Sequence, residues 1–238
     1  MIVSENYRRS VLFLYATTPL TAIKGGPIPS SEILKWENRT QLLDANYHKF
    51  ENGWSTLEDG SRYVAVKTFF PNGTAEMIDW WFEWAQEKEN IRYKIWCPGA
   101  HYAMAQMETP DYQFSKEGKG YWGKSRFPVE DVGLGVAQIR LDFVPPSEFG
   151  FETLPDSSTM LAVRVGLPNG LLKHTDMIHY IRPVAGGVEM RSRFWMARDL
   201  EAMSGGVGIM PMKMAFLNWI WKNLIKKEKK HKEGLWSC

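Results

Sequence analysis

Alternation of apolar and polar residues in the second half of the chain restricts the possible folds more than any other feature. Residues 136–144 alternate with a period of two, and residues 161–165 repeat that pattern. Two further segments, 177–183 and 188–197, flank Ala185-Gly186-Gly187, whose glycines are typical of a hairpin turn. Because successive side chains of a strand point to opposite faces, this period predicts strands. The second half is therefore predicted to form an antiparallel sheet.

A long amphipathic segment follows the predicted sheet and begins near Pro211. Its apolar stripe recurs at spacings of four, three, four and three, and consists of Met210, Met214, Leu217, Trp221 and Leu224. Those spacings are typical of one face of a helix. Antiparallel strands followed by such a helix predict an α+β fold, with the sheet wrapped around the helix and a cavity between them.

The beginning of the chain is predicted to contain loop and helix rather than sheet. Residues 17–30 are rich in proline and glycine, which is typical of a loop, and a helical stretch is predicted over 30–44. We expect two parts, an N-terminal part of helix and loop over 1–60 and a cavity-containing domain over 61–238.

A strand, a helix and a second strand are predicted next. The turn pair Asp59-Gly60 introduces a β-branched and aromatic strand over 62–70. Thr74 can cap a helix whose apolar residues recur at helical spacing and which ends by about Asn90. Residues 93–97 predict a further strand.

Large aromatic side chains are concentrated in residues 50–101, which contain five tryptophans and end on His101. A site for an apolar small molecule needs aromatic walls and a few polar groups that orient the ligand. This segment therefore predicts a hydrophobic small-molecule partner.

Composition excludes several other classes of protein. With a net charge of +2, the chain lacks the excess of basic residues that is typical of a nucleic-acid-binding protein. The lysine cluster in residues 226–232 is typical of a solvated helix end. No segment approaches the roughly 20 apolar residues of a membrane helix. The apolar run 11–16 is at the short edge of a signal-peptide core and has no clear cleavage site, so we reject that interpretation. Two cysteines are too few for a disulfide framework, so a reducing, cytoplasmic location is expected.

Five short motifs follow one another along the chain. They are Glu51-Asn52-Gly53-Trp54, Asp59-Gly60-Ser61, Asp79-Trp80-Trp81-Phe82-Glu83-Trp84, Arg92-Tyr93-Lys94-Ile95-Trp96 and Glu189-Met190-Arg191-Ser192-Arg193-Phe194-Trp195. Together they resemble the motifs of one enzyme family, the diacetylphloroglucinol and phloretin hydrolases. The resemblance implies a metal-dependent enzyme that cleaves the carbon–carbon bond between an acyl group and a phenolic ring. It also implies a small N-terminal part joined to a Bet v 1-like helix-grip domain, and a homodimer.

The resemblance implies a metal held by two His and two Glu, and this chain departs from that pattern. His101 and Glu130 match the first two ligands, but the C-terminal helix lacks the His and Glu four residues apart that would complete the site. Asn218 and Lys222 stand at the matching spacing instead. Two ligands do not make a catalytic zinc site, which normally has three protein ligands. We therefore expect no cofactor, with zinc bound through His101 and Glu130 as the alternative.

The predicted catalytic residues are His101, Glu130, Asn218 and Lys222. The predicted substrate-binding residues are Trp80, Trp84, Tyr93, His179, Arg191, Arg193, Trp195 and Trp221. Several of these residues have a structural alternative. His179 could simply be hydrogen-bonded within the sheet, Arg191 and Arg193 could belong to a buried salt-bridge ladder, and Lys222 could extend to solvent.

The leading functional hypothesis is a metal-independent enzyme of secondary metabolism with the hydrolase family's fold. It would direct cyclisation, cycloaddition or isomerisation of a hydrophobic polyketide- or terpenoid-like substrate by holding one conformer. The alternatives are a metal-dependent carbon–carbon hydrolase of an acylphenol and a non-catalytic protein that binds a hydrophobic ligand.

Overall fold

The computed structural model describes residues 24–85, 90–96, 100–105, 119–131 and 136–198. Within these stretches nine strands form an antiparallel sheet, as predicted for the second half of the chain. The strands are β1 Gly53–Thr56, β2 Arg62–Pro71, β3 His101–Ala105, β4 Ser125–Glu130, β5 Ala137–Gln138, β6 Arg140–Val144, β7 Thr159–Gly166, β8 Lys173–Val184 and β9 Gly187–Met196. Their order across the sheet is β1-β2-β9-β8-β7-β6-β4-β3, and β5 pairs with β4 outside this path.

Helices in the described stretches are few and short. They are α1 Ala75–Trp84 and α2 Asn90–Trp96, with 3-10 segments at Ser30–Glu32, Trp36–Leu43 and Pro146–Phe149. The α+β class is therefore confirmed. The helical stretch predicted over 30–44 is confirmed as two separate 3-10 segments rather than one helix.

The hairpin β8–β9 forms where the glycines predict it. Gly186 and Gly187 have φ angles of 83° and 156°, a region that favours glycine. A side chain at Gly187 would also collide with the carbonyl oxygen of Phe70 on β2. The turn thus sets the register of β8 and β9, in which His179 lies opposite Ser192 and Ile178 lies opposite Arg193.

Helix α1 starts as predicted and ends earlier than predicted. The hydroxyl of Thr74 accepts a hydrogen bond from the backbone N–H of Met77 at 3.2 Å, which satisfies one free donor of the first turn. The helix ends at Trp84, whereas the apolar spacing predicted an end by about Asn90.

The strand predicted over 93–97 is wrong, because Asn90–Trp96 is the helix α2. Tyr93 and Trp96 are three residues apart and therefore share a helical face. Tyr93 stacks on His101, and Trp96 packs edge-on against Phe82 at 5.0 Å. A short apolar run is compatible with either element, and these tertiary contacts are made by the helix.

The strand predicted over 136–144 is interrupted, with β5 ending at Gln138 and β6 beginning at Arg140. The interruption lies opposite Pro128 of β4, which has no N–H to donate to a neighbouring strand. The backbone N–H of Ile139 still donates to the carbonyl of Pro128 at 3.0 Å. Strand β4 pairs with β6 at one end and with β5 at the other.

The two faces of the sheet are covered by different parts of the chain. The N-terminal face carries Tyr63, Ala65 and Trp195, which pack against Leu34 and Leu42 of the N-terminal segment. The opposite face, here called the α1 face, packs against α1 through buried apolar residues of β7, β8 and β9. Those strand residues are Leu161, Val163, Ile181, Val188 and Met190.

The division of the chain at residue 60 stays a prediction. In the described residues β1 pairs with β2 across that point, with Trp54 opposite Val64. The predicted C-terminal helix and its apolar stripe lie outside the described residues, so the helix-grip arrangement also stays a prediction. None of the described helices is both long and apolar enough to cross a membrane.

Candidate functional site

His101 and Glu130 are brought together by the pairing of β3 with β4. His101 begins β3 and lies directly opposite Glu130, the last residue of β4. His101 Nε2 is 3.5 Å from Glu130 Oε2, and the two side chains are only 15% and 12% exposed. Leu141 of β6 packs against the apolar cluster of the α1 face, and its partner on β4 is Arg126. Alternation along β4 from Arg126 therefore places Glu130 on the α1 face. The two residues that the family resemblance nominated from positions 29 apart are thus neighbours.

Tyr93 of α2 holds both members of this pair. Its ring stacks on the His101 ring with centroids 4.0 Å apart and planes within 3°. Its hydroxyl donates a short hydrogen bond to Glu130 Oε2, and its backbone carbonyl lies 3.1 Å from His101 Nδ1. A carbonyl can only accept, so Nδ1 carries the proton of the neutral imidazole. The unprotonated Nε2 is therefore the atom on the side of Glu130.

The surroundings of the pair disfavour charge on either residue. Burial lowers the pKa of His101 to about 4, and the opposing hydrogen bond to the Tyr93 carbonyl does not offset that effect. Burial raises the pKa of Glu130, against the lowering effect of the Tyr93 hydroxyl. At neutral pH His101 is thus an uncharged base, and it lies beside a carboxyl group whose pKa is raised. Such a pair can accept and donate protons in one small site.

A metal ion fits only part of this site. Two ligand atoms 3.5 Å apart are compatible with one zinc ion bound about 2.0–2.2 Å from each. In the part of the chain that the structure describes, no group of three or more His, Cys, Asp or Glu side chains could hold a metal ion. His101 and Glu130 would therefore supply two ligands, fewer than the three that a catalytic zinc site normally uses.

His179 is half-buried and lies on the α1 face of β8. Its Nδ1 is 2.7 Å from the hydroxyl oxygen of Ser192, its partner on β9. Phe194 packs edge-on against its ring at 5.8 Å. The structural alternative for His179, a hydrogen bond within the sheet, is therefore present, and its predicted contact with substrate stays a prediction.

Arg191, Arg193 and Trp195 lie on the N-terminal face, away from His179. Both arginines are fully buried and form ion pairs with Glu51 at 2.7 and 2.5 Å. Burial alone would raise the pKa of Glu51, but its hydrogen bonds and ion pairs with the two arginines lower it to about 2. The indole N–H of Trp195 donates to the carbonyl of Leu34 at 2.8 Å.

These contacts correspond to the structural alternative for the arginines, because they fasten the N-terminal segment to the sheet. The predicted roles of Arg191, Arg193 and Trp195 in substrate binding stay predictions. Glu51 was missed as a partner, although it stands in the first of the motifs. Only its position in space relates it to strand β9, which lies 140 residues away.

Trp80 and Trp84 stack on each other along α1, with centroids 5.3 Å apart. Trp80 is 57% exposed, and the guanidinium of Arg92 lies 4.2 Å from the ring centroid of Trp84. Their role as walls of a substrate site stays a prediction. Asn218, Lys222 and Trp221 lie outside the described residues, so their predicted roles also stay predictions.

A cavity of about 280 Å³ opens on the N-terminal face, away from His101, and it does not coincide with the predicted site. Its lining includes Trp36, Trp195, Arg164 and Arg198. Both arginines are already engaged in ion pairs with acidic neighbours, at 3.1 and 2.8 Å. The buried acid–base pair is therefore the stronger candidate for chemistry.

An α+β chain with a buried His–Glu pair at the edge of a large antiparallel sheet has the features of an enzyme of small-molecule chemistry. The chain belongs to the DAPG hydrolase PhiG domain family, whose sequence model matches residues 33–229. The predicted family resemblance is thereby confirmed.

Named relatives of the chain are hydrolases. Phloretin hydrolase of Eubacterium ramulus is 29% identical over 208 residues, which cover 81% of this chain and 74% of the relative. A 2,4-diacetylphloroglucinol hydrolase of a Pseudomonas species is 29% identical over 191 residues, covering 75% of this chain and 64% of the relative. The same enzyme of Pseudomonas protegens is 28% identical over 191 residues, with coverages of 75% and 62%. The chain thus spans less than two thirds of the two diacetylphloroglucinol hydrolases.

Similarity to solved structures is weak. A norcoclaurine synthase from Thalictrum flavum, in complex with dopamine and hydroxybenzaldehyde, has a TM-score of 0.33 and 12% identity, covering 70% of this chain and 87% of that chain. A point mutant of that enzyme with a transition-state analogue has a TM-score of 0.34 and 11% identity, with coverages of 71% and 96%. Scores this low support no conclusion about fold or function.

Proposed function

We propose that this protein is a metal-independent enzyme of secondary metabolism that directs cyclisation, cycloaddition or isomerisation of a hydrophobic polyketide- or terpenoid-like molecule. The observation that carries the proposal is the buried pair of His101 and Glu130, aligned by Tyr93. Its base is neutral and the pKa of its acid is raised, because burial disfavours the charged form of each.

The pair is suited to reactions in which a proton leaves one atom of the substrate and another is supplied elsewhere. His101 Nε2 accepts a proton from an acidic carbon or hydroxyl group, while Glu130 donates its proton to a carbonyl oxygen. A later transfer in the opposite direction restores both residues. The substrate changes its bonds but not its composition, as in a ring closure or an isomerisation. Holding one reactive conformer supplies the rest of the acceleration.

The donor set supports chemistry without a metal. Residues 202–227 contain no His, Cys, Asp or Glu, so the predicted C-terminal helix offers neither half of the family's second ligand pair. The described residues likewise contribute two ligand atoms rather than three. A neutral His101 and a Glu130 carboxyl group whose pKa is raised by burial can act as base and acid without a metal.

A second candidate is a metal-dependent carbon–carbon hydrolase of an acylphenol. It is favoured by membership of a hydrolase family and by the 3.5 Å separation of His101 Nε2 and Glu130 Oε2, which suits a shared ion. A non-catalytic ligand-binding protein is the third possibility, and it predicts binding without turnover.

The first experiment separates these candidates by metal content and mass balance. The purified full-length protein is analysed by plasma mass spectrometry, then incubated with phloretin and with 2,4-diacetylphloroglucinol, with and without chelator. The proposal expects no stoichiometric metal and no release of carboxylic acid. Chelator-sensitive acid release would establish the hydrolase instead.

The second experiment identifies the reaction class in the producing organism. Deletion of the gene is expected to replace one metabolite with an isomer of equal mass, because cyclisation and isomerisation conserve composition. A precursor that carries an acyl group where the product carries a ring hydrogen would favour hydrolysis, and an unchanged metabolite profile would favour a binding protein. Complementation with His101→Gln or Glu130→Gln should fail. Complementation with Glu32→Gln, a change in an exposed pair with Lys49, should succeed.

A further inference from the structure

Ser192 and His179 form a hydrogen-bonded pair across strands β8 and β9. The two residues lie directly opposite each other, and Ser192 Oγ is 2.7 Å from His179 Nδ1. Ser192 is fully buried, whereas His179 is half-buried on the α1 face. The contact therefore links a hidden hydroxyl to a ring that is partly accessible from the face that also carries Glu130.

The direction of this hydrogen bond follows from the acceptors that are available to the buried hydroxyl of Ser192. Within the described part of the chain, Ser192 Oγ has no other hydrogen-bond partner than His179 Nδ1. If Nδ1 carried the proton, the hydroxyl hydrogen of Ser192 would be buried without an acceptor, which is costly. If Ser192 donates to Nδ1, the buried hydroxyl is satisfied, and the remaining donor belongs to the half-buried ring, where a ligand can reach it. The proton of the neutral ring then resides on Nε2.

We propose that Ser192 is a positioning residue that holds His179 in the Nε2–H form, so that His179 donates a hydrogen bond to a carbonyl or enolic oxygen of the substrate. This inference rests on the proposed function, since it specifies a substrate with an oxygen acceptor in an otherwise hydrophobic molecule. A neutral donor in apolar surroundings fixes orientation without selecting for a charged ligand.

Two further contacts of His179 support this role. Phe194 packs edge-on against the ring at an interplanar angle of 81°, which limits rotation about the side-chain bond. Burial lowers the pKa of His179 to about 4, so the ring is uncharged at neutral pH and its single proton must occupy one nitrogen.

The direct test is long-range nitrogen–proton correlation NMR on the full-length, uniformly ¹⁵N-labelled protein, with His179 assigned by its loss in His179→Gln. The expected spectrum has a protonated Nε2 and an unprotonated Nδ1 for His179. A protonated Nδ1 would overturn the proposal without any variant. In Ser192→Ala the signals should become a mixture of both forms, and Ser192→Thr, which keeps a hydroxyl, should restore the original pattern. An unchanged His179 signal in Ser192→Ala would also overturn the proposal.

His174 provides an internal control, because its Nδ1 lies 2.9 Å from the hydroxyl of its own neighbour Thr175. Its signals should be the same in all variants of Ser192. The functional readout is phloretin binding, followed by tryptophan fluorescence. Ser192→Ala is expected to weaken binding about tenfold, the value of one lost hydrogen bond, and Ser192→Thr should bind like the parent protein.

Equal phloretin binding by Ser192→Ala and the parent protein would overturn the positioning role even if the NMR pattern is as expected. Failure of the proposed function is detected separately, by product formation that persists in His101→Gln. The two proposals can therefore fail independently.

Discussion

Acidification should destabilise this protein through His101, and the size of the effect follows from its burial. The pKa of His101 is lowered from its ordinary value of 6.5 to about 4 by removal of the ring from water. A difference of this size corresponds to roughly 3 kcal/mol of unfolding free energy. Because the folded state disfavours the protonated ring, this stability is present above pH 6.5. It is lost progressively as the pH falls towards 4.

The assay is urea unfolding, followed by tryptophan fluorescence at a series of pH values from about 8 to about 4. His101→Gln has no group that titrates at this position. From pH 8 to pH 4, the unfolding free energy of the parent protein should therefore fall by roughly 3 kcal/mol more than that of His101→Gln. The other buried histidines titrate in both proteins, and their contributions cancel in the difference. His101→Phe is the matched variant, because it keeps an aromatic ring against Tyr93 but also cannot titrate.

The two variants should therefore show the same reduced pH dependence, whatever their stability at pH 8. Equal acid sensitivity of the parent protein and both variants would refute the inference that His101 is buried in its neutral form. If only His101→Gln shows a reduced pH dependence of the unfolding free energy, the change is due to packing and not to titration of His101.

Four further substitutions, one of them a control, test other parts of the structure. Glu51→Ala leaves two buried arginines without their counter-ion and should cost about 3–5 kcal/mol in urea unfolding. Glu32→Ala removes an exposed ion pair and should cost less than about 1 kcal/mol, so equal losses would contradict the buried network. Thr74→Ala removes the cap of α1 and should lower the unfolding free energy by about 1 kcal/mol, and no loss would contradict the cap. Tyr93→Phe removes a donor to Glu130, so carbon NMR should show a further rise in the pKa of that carboxyl; an unchanged pKa would contradict the contact.

Strands with strong local signals were predicted well from the sequence. The hairpin at Ala185-Gly186-Gly187 and the alternation in β7 and β9 are visible in a few consecutive residues. The same holds for the cap of α1, because Thr74 and the N–H of Met77 are only three residues apart. Local chemistry is sufficient to predict such features, since the turn residues, the alternation and the cap each lie within a few neighbouring positions.

The error at residues 93–97 has the opposite cause. The run Tyr93 to Trp96 is short and apolar, and it is compatible with a strand until its partners are known. Those partners, His101 and Phe82, lie at distances along the chain that a local pattern does not encode. Packing against them is what the helix α2 provides.

Site residues show the same limit. His101 and Glu130 were nominated by family motifs, yet their adjacency depends on the register of β3 and β4. Ser192 could have been found from the sequence, because a two-residue turn after Val184 places it opposite His179. A hydrogen bond of His179 within the sheet was predicted, but Ser192 was not named as its partner.

The sequence by itself determined the α+β class, the antiparallel sheet, the position of its hairpin and the membership of the hydrolase family, because periodicity, turn residues and short motifs act over a few neighbouring positions. Tertiary structure alone decided the burial of Glu51 against Arg191 and Arg193 and the burial that lowers the pKa of His101 and raises that of Glu130. Those properties depend on which distant segments exclude water from a side chain. Desolvation of that kind arises from the assembled fold and not from the order of residues along one strand.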